Sequence, residues 1–309
     1  MDGDFTRARQ LLSHPDSVEA FERGSALVEK AAAAGHAEAA AMLATLEAIG
    51  AGRRQNWAAA FDWLARAAEL GSPGAGQQLR LLSGSDAADR DWRAMQKRID
   101  PAVLLRAPAQ VPRCERPRLR LLPGFASPAE CRWIIEAARP KLSPAMVWDE
   151  AGDTARIDPA RNNSAVELGV AEMDVVAEVV RARISTATRL PEPIFEVPQI
   201  MHYRVGQEFR PHHDFLDPGV AGHRADLARR GQRMGTFLIF LNDDFEGGET
   251  EFPRAGITHR GRTGDALFFA NVTPDGQPDP LTIHAGRPPA SGEKWIFSQW
   301  IRDRVPGPA

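Results

Sequence analysis

The 309-residue sequence is poor in cysteine, with only Cys114 and Cys131, and it contains a single tyrosine, Tyr203. Two cysteines provide neither a disulfide framework nor a paired-cysteine zinc motif, which favours a reducing compartment. The N-terminal residues lack the apolar core of a signal peptide, and no apolar run approaches the length needed to cross a membrane. We therefore expect a cytoplasmic protein with no membrane partner.

The sequence also lacks an excess of charge of either sign. Charged residues make up 26% of the chain, and the formal net charge is −3. Proteins that bind nucleic acids generally carry a basic excess or a basic stripe. This balance therefore disfavours a nucleic-acid partner.

The first 100 residues are rich in Ala, Leu, Glu and Arg, and their apolar positions recur at helical spacing. They also repeat: a shift of 36 residues superposes Gly35 on Gly71 and Leu43 on Leu79. Because glycine readily adopts the left-handed conformation that ends a helix, each copy predicts two helices joined at the glycine. The pattern resembles the Sel-one-like branch of the tetratricopeptide superfamily, which implies a surface for a protein partner. A generic Ala-rich helical bundle is the alternative.

Residues 101–117 contain four prolines and predict an extended linker. This linker separates a helical-repeat domain at 1–100 from a second domain at 118–309. At this length the chain can hold one large domain and one small one.

The second domain begins with a predicted strand and two predicted helices. Ser127 and Glu130 have the spacing of a capping box, with Pro128 at the first helical position. A second helix is expected at 171–189. From about residue 194 onward, short apolar strands separated by turns indicate a jelly-roll barrel. A polar loop at 218–231 is expected to be mobile and to border a substrate groove.

The candidate metal ligands begin with His212 and Asp214, which lie two residues apart. On a strand, side chains two apart point to the same face, so these two would converge while His213 turns away. His284, further along the chain, is the candidate third ligand. Two histidines and one carboxylate form the facial triad of non-haem Fe(II) oxygenases, which leaves positions open for co-substrate and dioxygen.

A candidate anchor for a co-substrate is Lys294, ten residues after His284. On a strand, Lys294 and Trp300 would share one face. A dicarboxylate that chelates the metal at one end needs a cation for its far carboxylate, and a lysine ammonium can provide it.

Several segments in the same order resemble the prolyl 4-hydroxylase family of Fe(II)/2-oxoglutarate dioxygenases, over about residues 116–303. The matching segments are Y-x-x-G-x-x-F-x-x-H-x-D at 203–214, T-F-L-I-F-L-N-D-D-F-E-G-G-E-T-E-F-P at 236–253, G-D-A-L-F-F at 264–269, and D-P-L-T-I-H-A-G at 279–286. The resemblance implies an α+β protein in which a double-stranded β-helix, or jelly-roll, oxygenase domain follows the small all-α repeat domain.

The resemblance also implies the chemistry. Fe(II), held by His212, Asp214 and His284, and 2-oxoglutarate would hydroxylate a prolyl residue in a peptide or protein, while 2-oxoglutarate is decarboxylated to succinate. Ascorbate is the expected reductant.

Further residues receive roles by their match to the family. Tyr203, Thr236 and Trp300 are expected to line the 2-oxoglutarate pocket with Lys294. Arg161 and Glu196 match charged positions that face the peptide. Glu249 and Glu251 are interpreted as parts of a structural hairpin.

Three other functions remain open from the sequence. The same iron chemistry serves oxygenases that act on another side chain or on a small molecule. A nucleic-acid demethylase of the same superfamily is disfavoured by the near-neutral charge and by a lysine where arginine is expected. A non-catalytic repeat scaffold with a decayed oxygenase domain would be expected to have lost a ligand.

Overall fold

The computed structural model describes residues 2–13, 17–86, 88–149, 154–156 and 160–305. The helices are α1 (Asp2–Ser13), α2 (Val18–Ala33), α3 (Ala37–Ile49), α4 (Trp57–Glu69), α5 (Pro73–Ser83), α6 (Trp92–Arg98), α7 (Pro101–Leu104), α8 (Pro128–Ala138), α9 (Val175–Thr188) and α10 (Ala221–Arg230). The strands are β1 (Val111–Cys114), β2 (Leu119–Leu122), β3 (Ser143–Pro144), β4 (Val147–Asp149), β5 (Thr154–Arg156), β6 (Ser164–Glu167), β7 (Gln199–Tyr203), β8 (Phe209–His212), β9 (Arg233–Phe240), β10 (Glu246–Gly247), β11 (Thr250–Phe252), β12 (Ile257–His259), β13 (Ala266–Ala270), β14 (His284–Gly286), β15 (Pro289–Ser291) and β16 (Lys294–Arg302).

The chain divides into two compact units, the first formed by residues 1–106 and 168–186 and the second by 107–167 and 187–309. This division differs from the predicted one in two places. The predicted linker contains helix α7 and strand β1, and β1 pairs with β2. Residues 168–186, expected in the oxygenase domain, belong to the helical unit.

Helix pairs make up the first unit at the positions of the sequence repeat. The side chains of Ser17, Asn56 and Ser72 accept hydrogen bonds from backbone amides at the starts of α2, α4 and α5. Gly35 and Gly71 follow the first helix of each pair with φ values of +88° and +96°, the left-handed conformation expected of them. Assignment of these pairs to the Sel-one-like group stays a prediction.

Helix α9 is the segment that the second half of the sequence contributes to the helical unit. Its first amide, on Val175, donates to Gln78 Oε1 at 3.0 Å, and Arg183 Nη2 donates to the carbonyl of Leu104 at 2.9 Å. Nine of its 14 residues are buried, including Glu178 and Arg183. A helix buried on nearly every side depends on its neighbours for stability.

Two antiparallel sheets form the core of the second unit. The larger sheet has the order β1-β2-β13-β9-β16-β7-β6-β3 and the smaller has the order β12-β11-β14-β8. Residues 218–231, which the sequence predicts as a mobile loop, contain helix α10 between β8 and β9. From β7 onward the chain crosses repeatedly between the two sheets: β7, β9, β13 and β16 belong to the larger sheet, and β8, β11, β12 and β14 to the smaller one. This is the connectivity of a double-stranded β-helix. The predicted fold class, α+β with a jelly-roll oxygenase domain, is therefore confirmed.

The barrel interior is closed by apolar side chains from both sheets, among them Leu238, Phe240, Phe252, Leu267 and Phe269. The predicted capping box of α8 is present: Ser127 and Glu130 exchange hydrogen bonds through side chain and backbone. Among the residues that the structure describes, no helix combines the length and apolar character that a membrane span requires.

Candidate active site

The three candidate metal ligands meet at one end of the smaller sheet. His212 is the last residue of β8 and His284 is the first residue of β14, and the two strands pair with these histidines directly opposite each other. Asp214 lies two residues beyond the end of β8. Strand pairing therefore brings together residues that are distant in the sequence.

The geometry of this cluster suits a single metal ion. One donor atom from each of His212, Asp214 and His284 lies within 4.8 Å of the others. His212 Nε2 is 3.6 Å from Asp214 Oδ1, and His284 Nε2 is 3.5 Å from Asp214 Oδ2. A donor set of two imidazoles and one carboxylate is the set expected for non-haem Fe(II).

The histidine rings are oriented by backbone carbonyls. His212 Nδ1 lies 2.8 Å from the Arg210 carbonyl, and His284 Nδ1 lies 3.0 Å from the Thr282 carbonyl. With Nδ1–H donated to a carbonyl, Nε2 keeps the lone pair that a metal needs. His213, as predicted, takes no part: its Nε2 lies 3.4 Å from the Pro280 carbonyl.

Burial and neighbouring charges favour the protonation states of His284 and Asp214 that bind a metal ion. Burial lowers the pKa of His284 to about 4, so its imidazole is neutral at pH 7. Burial alone would raise the pKa of Asp214, but the neighbouring His284 and His212 and the Thr236 hydroxyl hold it below its usual range. Neutral imidazoles and an ionised carboxylate are the forms that bind a metal.

Thr236 supports Asp214 through a hydrogen bond. Its Oγ1 donates to Asp214 Oδ2 at 2.6 Å and accepts from Asn271 Nδ2 at 2.9 Å. The side chain is buried behind the carboxylate, and Thr236 is absent from the described lining of the cavity. The structure thus gives Thr236 a contact that orients a candidate ligand, and its predicted role in lining the 2-oxoglutarate pocket stays a prediction.

Lys294 and Tyr203 lie side by side in the cavity next to the metal cluster. They are opposite each other in the β16–β7 pair, and the Lys294 ammonium is 5.1 Å from the centre of the Tyr203 ring. Burial lowers the pKa of Lys294 to about 8 and raises the pKa of Tyr203 to about 12. A buried ammonium that is still charged at pH 7 is an attractive partner for a ligand carboxylate.

Two glycines keep this part of the cavity open. A Cβ atom on Gly286 would lie 3.4 Å from the Tyr203 hydroxyl, and a Cβ on Gly248 would lie 3.4 Å from Lys294 Cδ and 2.8 Å from the Phe245 ring. Gly248 also has a φ of +69°, which disfavours other residues. Gly286 and Gly248 therefore shape the space beside Tyr203 and Lys294.

Trp300 lines the same cavity, and Arg233 covers its ring. A contact of the indole with 2-oxoglutarate stays a prediction. The Arg233 guanidinium carbon is 3.7 Å from the ring centre. Glu196 binds this guanidinium through both oxygens, at 2.6 and 3.0 Å, and also accepts from Arg302 Nε at 2.5 Å. Glu196 is thus engaged by two arginines, and the expected contact with a peptide stays a prediction.

Arg161 is likewise engaged inside the protein. Its Nη2 donates to Gln199 Oε1 at 2.8 Å, and its guanidinium carbon lies 4.9 Å from the Phe209 ring centre. Phe209 in turn stacks on His212 with ring centroids 3.5 Å apart. The structure therefore places Arg161 against the Phe209–His212 stack. Its predicted contact with a peptide stays a prediction.

The cavity has further lining residues that the sequence analysis did not assign: Met201, Phe209, Leu238, Thr250, Gly286, Ile296 and Ser298. Ile296 and Ser298 alternate along the strand with the same parity as Lys294 and Trp300. This alternation in the sequence therefore indicated that they share the cavity face. Thr250 lies in the G-G-E-T-E hairpin and faces the cavity. The sequence analysis interpreted only Glu249 and Glu251 of this hairpin.

The comparison with protein families agrees with the site. The model of the 2OG-Fe(II) oxygenase superfamily matches residues 198–302, which include His212, Asp214, His284 and Lys294. Fold and site together define a 2-oxoglutarate-dependent dioxygenase that uses Fe(II).

Comparison with related proteins identifies the family within this class of dioxygenases. Prolyl 4-hydroxylase 1 of Arabidopsis thaliana is 33% identical over 203 residues, which are 61% of this chain and 70% of the relative. Prolyl 4-hydroxylase 13 of the same plant is 34% identical over 205 residues, which are 61% of this chain and 72% of that relative. The chain belongs to the prolyl 4-hydroxylase family.

Among solved structures, the chain is similar to a viral collagen prolyl hydroxylase from Paramecium bursaria Chlorella virus 1, crystallised in complex with 2-oxoglutarate. The two chains are 28% identical with a TM-score of 0.45, and the match covers 59% of this chain and 94% of the viral one.

Proposed function

We propose that this protein hydroxylates a prolyl residue in a peptide or protein, with Fe(II) bound by His212, Asp214 and His284. The convergence of these three side chains within 4.8 Å is the observation that carries the proposal. A decayed oxygenase would be expected to have lost a ligand, whereas all three residues are present and their donor atoms lie close together. The presence of the full set disfavours the non-catalytic scaffold.

Fe(II) supplies the oxidation chemistry when bound: with 2-oxoglutarate and dioxygen it hydroxylates a C–H bond as the co-substrate is converted to succinate and carbon dioxide. The protein supplies the arrangement. Thr236 and the backbone carbonyls of Arg210 and Thr282 orient the ligands. Lys294 binds the far carboxylate of 2-oxoglutarate, and Tyr203 forms the adjacent wall.

The substrate assignment is supported by the relatives, whose names identify them as prolyl 4-hydroxylases. It is supported too by the cavity wall, where Met201, Leu238 and Ile296 provide apolar surface next to the metal cluster. A prolyl ring within a peptide carries no charge, so apolar walls and hydrogen bonds to the flanking amides suffice to orient it.

Two finer features complete the proposal. Ascorbate is the proposed reductant, which would restore Fe(II) after turnover that is not coupled to a substrate. The helical pairs of the first unit are proposed to bind a protein partner, because stacked helix pairs present extended surfaces. A cytoplasmic location, expected from the low cysteine content, stays a prediction.

The direct test supplies Fe(II), 2-oxoglutarate and ascorbate with a panel of proline-containing peptides, and with free proline in parallel. Fragmentation mass spectrometry locates the added oxygen, and a His284→Ala protein serves as the inactive control. We expect oxygen on the proline ring of at least one peptide. Oxygen placed consistently on another residue type, or turnover of free proline alone, would reject the substrate assignment while leaving the iron chemistry in place.

A further inference from the structure

Asn271, which follows β13 directly, is a buried amide with an incomplete set of hydrogen bonds. The residue is fully buried, and its Nδ2 donates to Thr236 Oγ1 at 2.9 Å. Its Oδ1 is buried as well and has no hydrogen-bond partner among the residues that the structure describes. A buried oxygen of this kind is unfavourable, so its presence in a native fold calls for a physical reason.

The direction of the hydrogen bonds around Thr236 follows from the chemistry of the three groups. Asp214, with a pKa held below its usual range, is ionised and can only accept. The Thr236 hydroxyl has a single hydrogen, which it donates to Asp214 Oδ2 at 2.6 Å. Towards Asn271 the hydroxyl can then only accept, so the amide must present Nδ2 rather than Oδ1. Donation therefore runs from Asn271 to Thr236 to Asp214.

Strand pairing holds Asn271 beside Thr236. Phe269 is directly opposite Thr236 in the β13–β9 pair, so Asn271, two residues further along, is a diagonal neighbour on the same face. The Asn271 amide donates to the Met234 carbonyl at 2.9 Å, and the Asn271 carbonyl accepts from the Asp279 amide at 3.0 Å. With its backbone held on both sides, the side chain has little freedom to seek an acceptor-saturating position for Oδ1 without leaving Thr236.

The backbone of Asn271 also belongs to a chain of contacts that reaches His284. Asp279, which donates to the Asn271 carbonyl, accepts from the Thr282 hydroxyl at 2.6 Å. The Thr282 carbonyl lies 3.0 Å from His284 Nδ1. Asn271 is therefore placed where the supports of two candidate ligands meet: its side chain leads to Asp214 and its main chain leads to His284.

We propose that Asn271 is a positioning residue that directs the hydrogen of the Thr236 hydroxyl towards Asp214, and so orients the carboxylate for the metal. The inference rests on the proposed function, since it takes Asp214 as a metal ligand. A hydroxyl rotates about its C–O bond, and a donor on one side excludes the orientations that point its hydrogen there. A hydroxyl that accepts one hydrogen bond is also a stronger donor in the next. The position of Oδ1 is then a cost in stability that the metal site requires.

The inference is tested by measuring metal affinity and stability in the same variants. Asn271→Leu keeps the approximate size and removes both Nδ2 and Oδ1. Thr236→Val removes the hydroxyl through which Asn271 acts, and the double variant completes the cycle. Mn(II) affinity, with Mn(II) replacing the air-sensitive Fe(II), is measured by competition with a metal-binding dye. Thermal unfolding is measured on the metal-free proteins.

Gln299→Leu is the matched control. Gln299 is also a buried amide, and its Oε1 has no partner in the described part of the chain. Its Nε2 donates to the backbone carbonyls of Glu196 and Trp300 and not to a residue that supports a ligand. This variant therefore measures what the loss of a buried amide does when no ligand depends on it.

We expect Asn271→Leu to weaken Mn(II) binding about three- to tenfold, a smaller loss than the roughly 10- to 100-fold caused by removing a direct partner of a ligand. In the Thr236→Val background the same change should have no further effect, because the hydroxyl is absent. Metal-free Asn271→Leu should unfold at the wild-type temperature or above it, since a buried oxygen that lacks a partner among the described residues is removed. Gln299→Leu should bind Mn(II) as the wild type does.

Three results would overturn the inference. Unchanged Mn(II) affinity in Asn271→Leu would show that the amide does not support the ligand. An equal loss of affinity in the wild-type and Thr236→Val backgrounds would show that the effect does not pass through the hydroxyl. Parallel losses of stability and metal affinity, matched by Gln299→Leu, would assign the effect to the fold as a whole.

If Asn271→Leu does not fold, Asn271→Ala, which cannot overpack the site, decides the question by its Mn(II) affinity in the same two backgrounds. A wild type that binds neither Fe(II) nor Mn(II) would instead reject the metal site, and with it the proposed function. A wild type that binds metal but hydroxylates no peptide would reject the substrate assignment and leave this inference in place.

Discussion

His212 and His284 face each other across the β8–β14 strand pair, with ring centroids 4.3 Å apart. Their spacing is set by backbone pairing, because both side chains stand on directly opposed residues of one ladder. Asp214 then completes the cluster from the bend that follows β8. A site built on paired strands is more rigid than one built on loops, so we expect the ligand geometry to be largely formed before metal arrives.

The first prediction tests the metal cluster. His284→Ala removes one donor of three, so Fe(II) binding and 2-oxoglutarate turnover should both be lost. Metal content after dialysis and succinate formation measure the two effects, and circular dichroism checks the fold. His213→Ala is the control, since this neighbouring histidine points to the Pro280 carbonyl and should leave metal binding intact. A fully active His284→Ala protein would contradict the assignment.

The second prediction concerns the hydroxyl behind Asp214. Thr236→Val keeps the shape of the side chain and removes the 2.6 Å hydrogen bond to Asp214 Oδ2. Partners that orient metal ligands typically contribute about 10- to 100-fold to metal affinity. We expect a loss of that size in Thr236→Val and near-normal binding in Thr236→Ser. Competition with a metal-binding dye measures the affinity. If Thr236→Val binds metal normally but binds 2-oxoglutarate more weakly, the result would instead support the prediction that Thr236 lines the 2-oxoglutarate pocket.

The third prediction is a pH dependence of 2-oxoglutarate binding. The protonated Lys294 ammonium is the form that attracts a carboxylate, and its pKa is lowered to about 8 by burial. Below pH 8 the lysine is charged and affinity should be constant. Above pH 8 the charged fraction falls, so affinity should decrease by up to about tenfold per pH unit. His284, with a pKa lowered to about 4, does not titrate in this range.

Equilibrium dialysis of labelled 2-oxoglutarate against Mn(II)-loaded protein, from pH 6.5 to 9.5, is the measurement. Lys294→Met is the control, because it removes the titrating group. We expect this variant to bind more weakly by about 2–5 kcal/mol, roughly thirty-fold to several thousand-fold, and to lose the pH dependence above 8. A wild-type affinity that stays constant up to pH 9.5 would argue that another group binds the far carboxylate.

The sequence predicted the ligand set because period-two spacing and ordered motifs are local properties. Strand parity predicted that His212 and Asp214 converge. In the structure they do lie together, although β8 ends at His212 and Asp214 follows in the bend after the strand. Lys294, Ile296, Ser298 and Trp300 lie on one long strand, so parity alone placed them on one face of the sheet.

The contacts of Glu196 and Thr236 that the sequence did not predict join distant segments of the chain. Glu196 has an ordinary sequence context, and its engagement follows from Arg233 and Arg302, which reach it only after β9 and β16 pair. Thr236 matches a position that lines the 2-oxoglutarate pocket in the family. In the fold, Asp214 is buried, and its carboxylate lies against the Thr236 hydroxyl. No local pattern contains this information, because register and burial arise from the folded sheet.

The last prediction concerns removal of the helical unit. All candidate site residues lie after residue 113, so the sequence alone predicts that a chain beginning at Arg113 keeps 2-oxoglutarate turnover. The structure leads to the opposite expectation. Helix α9 lies within the retained part of the sequence but belongs to the helical unit, through Val175 to Gln78 and Arg183 to Leu104.

Truncation at Arg113 would remove both of these partners and expose apolar residues of α9 that are now fully buried, such as Val176, Val179 and Ile184. Full exposure of each such side chain costs about 1.5–3 kcal/mol, and together these costs approach the entire stability of a typical domain. We therefore expect the truncated chain to aggregate or to melt at a much lower temperature, as measured by yield of monomer and thermal unfolding. Replacing exposed α9 valines by serine should improve its solubility, since the defect lies in uncovered apolar surface. A truncated chain that is monomeric, as stable as the full-length protein and active in 2-oxoglutarate turnover would show that α9 does not require the helical unit.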